Sequence, residues 1–175
     1  GVKEVWCTPH IMEDIPNATA RLRACFSALK AAYAGSVELN LAAENMLDNL
    51  FEERLERDDL LPLGKDGKCL LVETSYFNPP MGLHNILLRI KAKGYYPVLA
   101  HPERYLYMTG TEYQQLKSMG IRFQLNVFSL YGLYGKAVQK RATSLQKQGM
   151  YDYVGTDLHR MGMLENMLQH TYLNF

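Results

Sequence analysis

Short apolar runs recur along the chain, separated by longer stretches whose apolar residues fall at helical spacing. Lys3–Pro9 reads as a short buried strand that ends at His10. Asn17–Ala34 puts Leu22, Cys25, Phe26, Leu29 and Ala32/Tyr33 on one helical face, with Asp14 or Asn17 as cap and Gly35 as stop. Val37–Leu41 alternates and predicts a second strand. Ala42–Asp59 reads as one helical segment whose many charges form a solvated face. Leu60–Lys68, broken by Pro62, Gly64 and Gly67, is loop. Cys69–Tyr76 is a strand interrupted by Glu73 and closed by Asn78-Pro79-Pro80. Gly82–Lys93 is an amphipathic helix carrying Leu83, Ile86, Leu87 and Ile90, and Gly94 stops it. Tyr95–Ala100 is a strand ending at His101-Pro102. A short helix over Thr111–Met119 stops at Gly120, and Ile121–Phe128 is the next strand. Ser129 caps a helix that runs to about Gln148, where Gly149 ends it. Tyr151–Arg160 reads as a buried strand ending in Asp157 and His159, and Met163–Tyr172 as a closing helix.

This alternation of strand and helix predicts parallel strands in an α/β sheet or barrel. Ligands of such folds gather at the carboxyl ends of the strands. Here those ends carry His10, Glu73, His101, Asp157 and His159. Residues two apart on an extended chain face the same way, so Asp157 and His159 can enter one site. A charged Glu73 after an apolar run is costly unless it is paired or bound to a cation. Taken singly, each histidine is an ordinary core or surface residue. Jointly, imidazoles and carboxylates at neighbouring strand ends suit Zn²⁺, Mn²⁺ or Fe²⁺. His84 and His170 fall on helices and read as surface residues. Arg104 follows His101 and Arg160 follows His159, and a guanidinium beside a metal cluster points to an oxyanion or phosphate substrate. Arg104 can equally pair with Glu103 or Glu112 on the surface. The 12 tyrosines are scattered and are assigned to packing and rim positions.

Composition narrows the function classes. The chain has 175 residues, enough for a single domain over 1–175. Lys plus Arg is 19 against 18 for Asp plus Glu, so nothing global points to nucleic acid or an anionic membrane. No apolar run is long enough to span a bilayer. Three cysteines, odd in number and widely spaced, read as reduced thiols of a cytoplasmic protein. A thiol phosphatase needs an arginine six residues after its cysteine, but Cys7, Cys25 and Cys69 are followed there by Glu13, Ala31 and Ser75. There is no G-x-S-x-G elbow, no P-loop and no G-x-G-x-x-G.

Five segments occur together and in this order: Thr8–His10, the glutamate of LLVETS, Leu99–Tyr105, Gln124–Ala142 and Gly155–Arg160. Together they resemble the bacterial PHP-type metal-dependent protein tyrosine phosphatases of the CpsB/YwqE kind, which serve capsule and exopolysaccharide synthesis. The resemblance implies a distorted (β/α)7 barrel with two or three metal ions, usually Mn²⁺, with Fe²⁺, Zn²⁺ and Co²⁺ as further candidates. It implies that Glu73 bridges two metals, with Asp157 on one and His101 on the other, while His10 and His159 hold a third. It places Arg104 on the substrate phosphate, and it gives the substrate as a phosphotyrosine protein, a bacterial tyrosine kinase with a tyrosine-rich tail.

The family also opens with a D-x-H-x-H strand that this sequence does not contain. The chain starts at Gly1 without a methionine and reads as a barrel lacking its first strand and most of its first helix, with two strand edges exposed. A further arginine of the family corresponds to Leu164, and Arg160 stands in for it. Two other readings accompany this one. The first is a PHP phosphoesterase acting on a small molecule such as histidinol phosphate. The second is a non-catalytic domain that binds the kinase tail.

Overall fold

The computed structural model describes residues 1–169, with side chains up to Glu165. The strands are β1 (Glu4–Cys7), β2 (His10–Ile11), β3 (Glu38–Leu41), β4 (Glu44–Met46), β5 (Cys69–Glu73), β6 (Tyr96–Ala100), β7 (Arg122–Asn126) and β8 (Tyr153–Gly155). The helices are α1 (Thr19–Ala32), α2 (Asn49–Arg57), α3 (Leu83–Ala92), α4 (Gly110–Ser118), α5 (Val127–Leu130), α6 (Lys136–Lys147) and α7 (Met161–Gln169). His170 and the end of the expected closing helix lie outside the described residues.

Six strands form one parallel sheet in the order β2-β4-β5-β6-β7-β8, and β1 pairs with β3 in parallel. Cys7 faces Leu41 and His10 faces Glu44, so the register of β1–β3 carries on into β2–β4. The break falls at Thr8-Pro9, where the proline has no N–H to give to a ladder. Spatial order follows chain order, so every crossover steps the same way. With right-handed crossovers the helices collect on one face, as in a barrel wall and unlike a doubly wound sheet. The expected α/β barrel architecture is therefore met as a parallel half-barrel.

The two-residue period of the strands sorts the core. Leu70, Val72, Leu99 and Phe123 pack against the helices with Phe51, Leu55, Leu87, Ile90, Leu116 and Leu145. Cys69, Leu71, Val98 and Ala100 line the opposite, inner face. Glu73 continues the Cys69–Leu71 side and so reaches the inner face at the carboxyl end of β5. At the amino-terminal end of that face, Arg122 Nη1 lies 3.2 Å from Cys69 Sγ and 2.8 Å from Tyr153 Oη. The Arg122 guanidinium also lies over the Tyr96 ring at 4.6 Å.

Several local expectations are corrected. Ala42–Asp59 is not one helix: Ala42 and Ala43 are buried, β4 follows, and α2 starts only after Asp48. Asp48 accepts the Phe51 N–H at 2.9 Å and thereby fixes that start. The charges of this segment are not all solvated either. Glu44 is buried, and Arg54 is buried with its guanidinium on the Asp59 carbonyl at 2.7 and 3.0 Å.

Neither Asp14 nor Asn17 caps α1; its N-cap is Ala18, without a side-chain bond, and it ends at Tyr33 rather than Gly35. Asn17 Nδ2 instead donates to the His10 carbonyl at 2.9 Å. No residue of α1 is buried. Ser129 is not a cap but a buried residue inside α5. The expected long helix is split because Gly132 and Gly135 turn the chain with φ of 78° and 93°, values that favour glycine. β8 is not a buried strand. It is the last of the sheet, and Tyr153 and Val154 are exposed.

Leu70 sits at the centre of the helix-facing core, fully buried. Leu70→Ala removes that packing and is expected to lower unfolding stability by about 2–5 kcal/mol in urea titrations followed by circular dichroism. A loss below about 1 kcal/mol would contradict this packing.

Candidate metal centre

The inner face ends in a cluster of acids and imidazoles. β2, β4 and β5 are adjacent, which brings His10, Glu44 and Glu73 to one end of the sheet. Glu73 is 2% exposed and Glu44 5%. His10, Glu44 and Glu73 each offer a ligand atom, and these atoms all lie within 4.8 Å of one another. His101, just beyond β6, completes the group. Its Nε2 is 3.2 Å from Glu44 Oε1 and 3.6 Å from Glu73 Oε2. His10 Nδ1 is 3.0 Å from Glu73 Oε1 and 3.3 Å from Glu44 Oε2. Each carboxylate therefore turns one oxygen to each histidine. His159 joins from the loop after β8, its Nε2 2.8 Å from His10 Nε2, with the two rings stacked at 5.1 Å.

Two carboxylates this deeply buried are costly without cationic partners. The pKa of His10 is raised chiefly by contact with Glu73, against the pull of burial, with the charges of Glu44, Glu73 and Asp157 adding to it. For His101, burial is the largest influence and lowers the pKa, but contact with Glu44 and the charges of Glu44 and Glu73 together outweigh it and the balance is upward. Among the described residues, His10 Nδ1, Glu73 Oε1 and His101 Nδ1 are buried without a well-formed hydrogen bond. Two buried carboxylates, imidazole nitrogens and orphaned donor atoms converging on one small volume fit a divalent cation.

Asp157 lies beside this cluster and is tied to Arg104. Arg104 Nη1 donates to Asp157 Oδ2 at 3.0 Å, and Asn126 Nδ2 donates to the same oxygen at 3.1 Å. His159 Nδ1 lies 3.2 Å from Asp157 Oδ1 and 2.9 Å from the Asp157 carbonyl. The pair meets through a turn and not through strand alternation, since β8 ends at Gly155. His101 and Asp157 both hold left-handed backbone, with φ of 34° and 50°. Non-glycine residues seldom adopt it, and such strain gathers at functional sites.

The Arg104 guanidinium lies 4.2 Å from the ring centroids of both Tyr76 and Tyr134. Burial raises the pKa of both phenols, so the rings stay neutral. Neither Glu103 nor Glu112 pairs with Arg104. Glu103, fully buried, accepts the Asn126 N–H and the Tyr151 hydroxyl, each at 3.0 Å. Glu112 folds back on Thr109 as a capping box for α4.

The structure thus brings His10, Glu73, His101 and His159 together directly and joins Asp157 through His159 and Arg104. Arg160 stands apart: it is exposed, and its side chain has no hydrogen bond or ion pair among the described residues. Glu44 is not apparent from the sequence pattern, because the charged run around it mimics one helix. The available signal was Asp48-Asn49-Leu50-Phe51, a helix start that frees the preceding Glu44-Asn45-Met46 to be a strand. Asn126, which holds Asp157, Tyr134 and its own turn, is not apparent there either.

Comparison with known proteins places this geometry in a family. The family model described as capsular polysaccharide synthesis, CpsB/CapC, matches residues 1–172. The tyrosine-protein phosphatase YwqE of Bacillus subtilis (strain 168) is 26% identical over 167 residues, covering 92% of this chain and 65% of its own length. The tyrosine-protein phosphatase CpsB of Streptococcus pneumoniae is 30% identical over 131 residues, covering 69% of this chain and 52% of its own length. The chain therefore spans between about half and two thirds of these relatives. The fold matches a chain from the crystal structures of YwqE and CpsB, described as unique metal-dependent tyrosine phosphatases, with a TM-score of 0.75 and 22% identity. That match covers 92% of this chain and 67% of the other. The chain belongs to the CpsB/CapC family of capsular polysaccharide synthesis.

Proposed function

We propose that this site is a divalent-metal centre that hydrolyses phosphotyrosine in a protein without a covalent intermediate. The observation that carries the reading is the arrangement at Glu73. Its two oxygens face two different histidines, Glu44 does the same beside it, and an arginine stands at the rim. His10, Glu44, Glu73 and His101 would hold the metal, with His159 and Asp157 completing the donor set. Mn²⁺ is our first assignment, because the resemblance to the metal-dependent tyrosine phosphatases implies it; Fe²⁺, Zn²⁺ and Co²⁺ fit the same mixed imidazole and carboxylate donors. When bound, such ions supply a nucleophile from water near neutral pH and neutralise phosphoryl charge.

The chain's own residues do the rest. Glu44 and Glu73 provide negative charge in a water-poor wall. Arg104 binds the phosphoryl oxygens and stabilises the charge that develops on them. The phenol of the leaving group has a pKa of ~10, so its departure needs only modest protonic help. We assign no role to Arg160 in this scheme. The names of the relatives support a tyrosine-phosphate substrate, and the family description supports a setting in capsule synthesis. We further propose a bacterial tyrosine kinase tail as the partner and the cytoplasm as the location. Three free cysteines accord with a reducing compartment, and no helix among the described residues is long and apolar enough to cross a membrane.

Calorimetric titration with Mn²⁺ should show Glu73→Gln and Glu44→Gln weakened by at least about tenfold. Arg160→Ala should bind the ion as the parent protein does. Phosphate release from a phosphotyrosine peptide by the full-length protein should require Mn²⁺ and stop with chelator. Arg104→Ala should lower kcat/KM by about 10²-fold. Release that survives complete metal removal, or turnover preserved in Arg104→Ala, would overturn the assignment. Faster turnover of a small phosphate ester than of the peptide would move the substrate class to small molecules.

A further inference from the structure

We propose that Tyr76 and Tyr134 are positioning residues that clamp Arg104 between their rings, presenting its edge to an incoming oxyanion. The inference rests on the phosphatase reading for the identity of that oxyanion. Both rings lie 4.2 Å from the guanidinium carbon, and they come from separate loops, one after β5 and one between α5 and α6. Neither ring is loose. Tyr76 stacks on Tyr105 at 6.1 Å, and Tyr105 is fully buried and accepts the Thr74 N–H through its hydroxyl at 3.1 Å. Tyr76 also lies 5.8 Å from the His101 ring, which links the clamp to the metal cluster. On the other side, Asn126 Nδ2 donates to the Tyr134 hydroxyl at 3.0 Å, and the same amide donates to Asp157 at 3.1 Å.

Arg104 has five N–H donors, and among the described residues its side chain gives a hydrogen bond only to Asp157. Its side chain is 18% exposed. A guanidinium kept largely from water with most of its donors unspent is built to receive an acceptor. Rings packed on a guanidinium leave the edge as the route in, and the edge is what binds two oxygens of a phosphate at once. A lysine has no planar fork to be held this way. The clamp also fixes in advance a side chain whose freedom would otherwise be lost when the ligand binds.

The test is calorimetric binding of inorganic phosphate to the full-length, Mn²⁺-loaded protein, with metal content measured on each variant. Tyr76→Leu and Tyr134→Leu should each weaken phosphate by about threefold to tenfold while retaining the metal. Tyr76→Phe keeps the ring, and Tyr76 makes no hydroxyl bond among the described residues, so it should bind within about twofold of the parent. KM for a phosphotyrosine peptide should rise in parallel with the loss of phosphate affinity. Folded, metal-loaded leucine variants that bind phosphate like the parent protein would overturn the clamp alone. So would a Phe variant as weak as the Leu variant. A metal-loaded parent protein that binds no phosphate would overturn the phosphatase reading and the clamp's ligand with it.

Discussion

Burying the Glu73 carboxylate at the end of β5 is the constraint on which the rest of the site depends. Strand periodicity turns Glu73 inward from an otherwise apolar run, at 2% exposure. An ionised carboxylate there needs positive charge. The sheet supplies it from both sides, with His10 on β2, one strand beyond β4, and His101 just beyond β6 on the other. Glu44 doubles the negative charge and contacts the same two histidines. The half-barrel is thus a device for carrying groups far apart in sequence to one end of one face.

The two ends of that inner face differ in character. At the amino-terminal end Arg122 lies against Cys69, Tyr96 and Tyr153, a polar group with its partners in place. The carboxyl end holds carboxylates and imidazoles with buried atoms that lack well-formed bonds, and backbone strain at His101 and Asp157. Buried polar groups without partners call for an explanation, and a bound ion is the one that the donors of this cluster fit. A second layer holds the working residues. Glu103 fixes the backbone of Asn126, whose side chain then holds Asp157 and Tyr134, and both of these hold Arg104.

Much of this was legible in the sequence because strand periodicity and glycine stops are strong local signals. Glu73 stood out against its apolar neighbours, and His101 marked the end of β6; His10 does not follow the first strand, which ends at Cys7, but opens β2. Glu44 did not stand out, because β4 is only three residues long and sits in a run of charges that mimics a solvated helix. The split after Ser129 depended on the left-handed turns at Gly132 and Gly135, which local spacing does not reveal. The Arg104–Asp157 pair and the Tyr76–Arg104–Tyr134 contact bring together distant segments. Only the folded chain shows that the arginine's partner is Asp157 and not the adjacent Glu103.

The most direct test of the central claim is a crystal structure of the full-length protein with Mn²⁺, with the ions located by anomalous scattering. The account predicts an ion bound through Glu73, with His10 or His101 as a shared neighbour and Glu44 beside it. Ions bound elsewhere, with the Glu73 carboxylate still turned only to its histidines, would contradict it.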